Sequence, residues 1–123
     1  MNINDKAEKL VIQLTRETYS NNVKWEAENP PINLTQGTEA IYPLYFEAYY
    51  QNVSVGLFSK RYKQYTDVDE YYWTESIGFC VLDEEERVTW EYSENSSALY
   101  NLFDAAREQA SGIGDILDGL LKR

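Results

Sequence analysis

The chain has 123 residues, 43% of them hydrophobic, and a formal net charge of −10. That length predicts a single domain over residues 1–123, large enough to build a core without a disulfide or a metal. The acidity opposes phosphate backbones and anionic lipid, so neither nucleic acid nor a membrane surface is an expected partner; a basic protein would be attracted, and solubility alone also accounts for the charge.

The first predicted element is a helix over Asp5 to Tyr19. Asp5 and Glu8 have the spacing of a capping box. Ala7, Leu10, Val11, Leu14 and Thr18 recur on one stripe. Ser20-Asn21-Asn22 then breaks the pattern. Val23-Lys24-Trp25-Glu26-Ala27 alternates apolar and polar residues, as a short strand does, and Asn29-Pro30-Pro31 ends it. Thr35 to Thr38 reads as a loop.

Two long strands follow, Ile41 to Gln51 and Val53 to about Lys63, with a tight turn near Gln51-Asn52. Thr66 to Glu70 connects them to a third, Tyr71 to Leu82. An acidic turn, Asp83 to Glu86, leads to an alternating strand, Val88 to Tyr92. Short connections favour an antiparallel meander of four to five strands. The last element is a helix with a cap at Asn95, Ser96 or Ser97. Leu99, Phe103, Ala106, Ala110, Ile113, Leu117 and Leu120 form a heptad-like stripe, which core packing on the sheet explains. Gly112 and Gly114 predict a break in that helix. The fold class is therefore α+β.

Eleven of the eighteen aromatic residues lie between Tyr42 and Trp73, and the chain has no histidine. Tyrosine suits half-buried sheets and contact surfaces. Lack of histidine removes the commonest general base and metal ligand, and with it any Ser-His-Asp or Cys-His site. Cys80, the single cysteine, allows no intrachain disulfide and sits in the apolar run Ile77 to Leu82, where it reads as a small buried hydrophobe. Glu47 and Glu75 are the strand carboxylates that could serve a carboxylate-only enzyme. Asp67 to Glu70 lacks the glycine and downstream ligands of a calcium loop. No metal, cofactor or enzymatic activity is expected. No apolar stretch approaches a membrane span and the N-terminus lacks signal-peptide features, so a cytoplasmic location is expected.

Strand periodicity divides the sheet into two faces. One carries Phe46, Ala48, Val55, Leu57, Ile77, Phe79 and Val81, with Tyr42, Leu44 and Tyr50 assigned to it as well, and should lie under helices. The other carries Tyr45, Tyr49, Phe58, Lys60, Tyr62 and Tyr72. If no helix covers it, it is an aromatic patch for a partner or a ligand. Cross-strand pairing that merely stiffens the sheet is the alternative. The basic, aromatic stretch Lys60 to Tyr65 should meet acidic neighbours across strands.

The second half, residues 60–121, resembles a group of short bacterial proteins of uncharacterised activity. The likeness rests on Tyr71-Tyr72-Trp73, on Val81-Leu82-Asp83 followed by Trp90-Glu91-Tyr92, and on Ser97-Ala98-Leu99-Tyr100 leading to the run Arg107 to Ile113. It implies a stand-alone sheet-and-helix domain and transfers no mechanism. The leading expectation is a non-enzymatic interaction protein. Its partner is a basic protein, as for an inhibitor or immunity protein, or a second copy in a homodimer. The alternative is a small-ligand binding domain in which tyrosine hydroxyls and Lys60 line a pocket.

Overall fold

The computed structural model describes residues 2–122. Helix α1 spans Ile3–Tyr19, and its cap is Asn2, whose side chain accepts from the Asp5 N–H at 2.9 Å. The helix thus starts earlier than the Asp5–Glu8 spacing suggests, because Asn2 supplies a better-placed acceptor for the orphan N–H groups of the first turn. Strand β1 is only Glu26–Ala27, and a short helix, α2 (Ile32–Thr35), follows the two prolines. Strands β2 (Ile41–Tyr50), β3 (Val53–Asp67), β4 (Glu70–Leu82) and β5 (Val88–Tyr92) complete the sheet. Its order is β1-β2-β3-β4-β5, and every neighbouring pair is antiparallel. Helix α3 (Ser97–Ser111) and helix α4 (Ile113–Leu121) close the chain. The architecture is the expected α+β meander.

Gln51 and Asn52 both have positive φ, 48° and 67°, between the paired residues Tyr50 and Val53. Two such residues make the turn whose twist matches a right-handed hairpin.

The main core lies between the sheet and the pair α1–α3. Val11, Leu14, Leu57, Phe79, Leu99, Leu102 and Phe103 are its centre. Each such side chain contributes about 1.5–3 kcal/mol on burial. Gln109 of α3 anchors the chain between α1 and β1. Its side-chain oxygen accepts from the Trp25 N–H at 2.7 Å, and its amide donates to the Val23 carbonyl at 2.7 Å. The Trp25 indole donates to the Thr18 hydroxyl at 2.9 Å, which itself donates to the Leu14 carbonyl. Buried polar atoms here are thereby satisfied, as a core requires.

The face assignment holds along β3 and β4 and fails at one place in β2. Ile41 pairs with Arg61 but Leu44 pairs with Ser59, so three steps on β2 oppose two on β3. This bulge around Pro43, where Leu44 N–H donates to the Ser59 hydroxyl at 3.1 Å, flips Tyr42 to the opposite face. Tyr42 packs there edge-on against Phe58, at 5.5 Å between ring centres.

Helix α3, capped at its start by Ser96, ends at Gly112 in the left-handed region, φ 64°. The break falls where the glycines predict it. Beyond it the heptad-like stripe no longer packs: no residue of α4 is buried.

Candidate functional site

The six residues singled out from strand periodicity do share one face of the sheet. That face has a second small core of Leu34, Tyr45, Phe58, Cys80 and Leu82, with Tyr42 and Val88 at its margin. Its cover is the segment around α2. Asn33 fixes the segment to β5: its amide donates to the Val88 carbonyl at 2.9 Å and its oxygen accepts from the Val88 N–H at 3.0 Å. Tyr45 and Phe58 are therefore buried, 3% and 1% exposed, and present no surface to a partner. The condition for an open aromatic patch, a face that nothing covers, is not met at these two residues. A proline-rich stretch with one short helix covers them, which strand periodicity alone does not reveal.

Burial shapes the chemistry of this second core. The Tyr45 hydroxyl donates to Glu47 Oε1 at 2.8 Å. Desolvation, helped by Cys80 and Glu47, pushes the Tyr45 phenol far above its ordinary range. Burial, then the charge of Glu91, pushes the Cys80 thiol up to about 12. A thiol so placed stays protonated and unreactive. Glu47 belongs to this face, whereas Glu75 lies on the helix-facing side and pairs with Arg61 at 3.2 Å. The two carboxylates do not converge on one cleft.

Tyr49, Lys60, Tyr62 and Tyr72 remain accessible in two separate places. Tyr49, 67% exposed, borders a groove of about 230 Å³ with Lys24, Glu26 and Glu28. Tyr62 and Tyr72 belong to an arm, with Lys60 at its base. Pairing of β2 with β3 stops at Arg61, and β5 pairs with β4 only over Phe79–Leu82. Beyond those limits β3 and β4 continue as a two-stranded ribbon to a turn at Val68-Asp69. Lys60 lies over the rings of Tyr62 and Tyr42, at 5.5 and 6.0 Å.

An isolated two-stranded ribbon is marginal in water. Side-chain ladders stiffen this one. On its helix-side face Tyr65 packs on Tyr71 at 5.5 Å, and Tyr71 meets Trp73 edge-on at 6.4 Å. Lys63 lies 4.6 Å over Tyr71, and Arg61 lies 5.7 Å over Trp73. Lys63 also pairs with Glu39 at 3.7 Å, and the Tyr65 hydroxyl donates to the same carboxylate at 3.2 Å. The basic stretch thus meets acidic neighbours, as expected. Cation–π contacts of this kind contribute about 0.5–1 kcal/mol each at exposed sites.

A further accessible surface is α4. Its sequence places Ile113, Ile116, Leu117, Leu120 and Leu121 on one arc and Asp115 and Asp118 on the opposite one, by the 100° step of a helix. All five apolar side chains are exposed. Between α4, the end of α3 and the end of α1 runs an open groove of about 670 Å³, lined in part by Thr18, Tyr19, Gln109, Ile113 and Leu117. The apolar stripe of α4 was visible in the sequence but reads there as core. Only the turn at Gly112 shows that it leaves the body.

Among the described residues no helix is long and apolar enough to cross a membrane. Comparison with protein-family models, with curated proteins and with solved structures finds no match to this chain.

Proposed function

We propose that this is a non-enzymatic interaction module that binds a basic protein partner in the cytoplasm through α4 and the aromatic arm. The observation that carries the reading is the amphipathic α4, five large apolar side chains with none buried. A contiguous apolar patch of that kind marks an interface in a water-soluble domain. A helix laid into a partner's groove through residues at i, i+3, i+4 and i+7 is a recurrent recognition mode. The net charge of −10 selects a basic partner and speeds its approach, which fits an inhibitor- or immunity-type role.

A homodimer through α4 is less favoured. Two copies, each of net charge −10, repel one another, whereas a basic partner is attracted. The ligand reading is weaker still. Tyr49 and Tyr62 line different open grooves, and Tyr45 is closed off beneath α2.

A photo-crosslinking residue placed at Leu117 tests the reading, with the same group at Asp118 on the far arc as control. In cells, the first should trap a second, basic polypeptide and the second should not. No adduct from either position, or equal adducts from both, contradicts it.

A further inference from the structure

Among the described residues the sheet has one long backbone edge with no cation, proline or bulge of its own. Natural sheets protect such edges with short strands, cations, prolines or bulges, because unpaired N–H and C=O groups recruit another strand. Here β1 is two residues long, β2 carries Pro43 and its bulge, and the Asn33 amide caps β5 at Val88. The free edge of β3 carries Arg61 and Lys63, and Glu39 lies against it. Along β4, by contrast, Glu70 to Glu75 pair with β3 on one side and with no strand on the other. Tyr71, Tyr72, Trp73 and Thr74 in that stretch are all strong strand formers. The edge runs into a groove of about 270 Å³ bordered by Glu75, Ser76, Ile77 and the turn Ser93 to Asn95.

We infer that this β4 edge accepts an extended segment of the partner polypeptide, added as a sixth strand and carrying lysine or arginine at alternate positions. The side chains of the arm specify that pattern. On the β3 side, Tyr71, Trp73 and Glu75 are flanked by Lys63 at 4.6 Å from the Tyr71 ring, Arg61 at 5.7 Å from the Trp73 ring, and Arg61 again at 3.2 Å from Glu75. On the opposite flank no strand pairs with these three residues. A strand added there places every second side chain beside them. Cations at those positions repeat the contacts that Lys63 and Arg61 already make. The only charges on β4 are Glu70 and Glu75, so a basic strand meets no like charge on its neighbour. Main-chain pairing would supply affinity, and the alternating cations would supply selection.

The inference rests on the reading of the protein as a binder of basic polypeptides, and it is tested apart from α4. The probe is an eight-residue peptide alternating lysine and valine, added to the full chain while amide hydrogen exchange is followed. Two control peptides are an alternating glutamate–valine sequence and the lysine–valine sequence with two central prolines, which cannot form the added strand. The expected result is slowing of exchange by about tenfold or more, confined to Glu70 to Glu75, with the lysine–valine peptide alone. The Trp73→Ser and Tyr71→Ser variants should weaken that protection and leave the exchange of Leu57 and Phe79 unchanged. No protection of the edge, or equal protection by either control peptide, overturns the inference. If α4 yields no crosslink while the edge is still protected, the α4 reading fails and the edge stands. The reverse result removes only the edge.

Discussion

The tip of the Phe58 ring lies over Gly78, its direct partner in the β3–β4 pair, and occupies the space where a side chain at 78 would stand. A β-carbon built on Gly78 would fall against three atoms of the ring, one of them at 2.8 Å. The ring cannot retreat, because Phe58 is 1% exposed beneath the α2 segment. Gly78→Ala should therefore lower stability by about 1–3 kcal/mol through overpacking, read as a lower urea midpoint. An unchanged midpoint would show that the second core is looser than its burial suggests.

Gln109 holds the chain between α1 and β1 with one acceptor and two donated hydrogen bonds. Gln109→Ala leaves the Trp25 N–H and the Val23 carbonyl without this partner. The expected cost is about 1–3 kcal/mol by chemical denaturation, with Gln109→Glu also destabilising because a carboxylate cannot donate. A neutral Gln109→Ala would mean that water replaces the side chain without loss.

Alkaline pH should destabilise the fold through its two buried acidic groups. The Cys80 thiol is raised from 9.0 to about 12, and the Tyr45 phenol is raised from its ordinary 10.0, both chiefly by burial. Between about pH 9 and 12 the unfolded chain gives up the thiol proton while the folded chain keeps it. The unfolded state then binds fewer protons, so stability is full below pH 9 and falls as pH rises through that window, by about 1.4 kcal/mol per unit for one fully shifted group. Urea midpoints between about pH 8 and 11 should decline, and Cys80→Ala should flatten the decline. A pH-independent midpoint contradicts the burial of both groups.

Substitutions on α4 should separate binding from folding. Leu117→Ser with Leu120→Ser removes no buried contact and should change stability by no more than about 0.5 kcal/mol. Leu102→Ala, in the fully buried part of α3, should cost about 2–5 kcal/mol. A thermal melt of each variant checks the contrast. Strong destabilisation by the α4 pair would place α4 in the folded core instead.

Much of the fold was legible because it rests on local periodicity. The alternation in Val88 to Tyr92, the turn at Gln51-Asn52 and the break at Gly112 each follow from a few adjacent residues. What was not legible depends on residues distant in sequence. The bulge at Pro43 that turns Tyr42 over is set by pairing with Ser59 and Arg61. The burial of Tyr45 and Phe58 depends on Leu34, and Asn33 reaches Val88, 55 positions away, to hold that cover in place. All six expected contact residues share one face of the sheet, as strand periodicity places them. The ladder behind them, Lys63 with Tyr71 and Arg61 with Trp73, was missed because it appears only when the β3–β4 register is known.

The most direct test of the interaction reading is a pull-down from lysate of the source cells, read by mass spectrometry at low and high salt. The intact chain is compared with the Ile116→Asp, Leu120→Asp double variant. The intact chain should retain a basic protein in stoichiometric amount at low salt, lose most of it at high salt, and retain none when α4 is charged. Recovery of the chain alone under every condition, or of the same partner by the double variant, would contradict it.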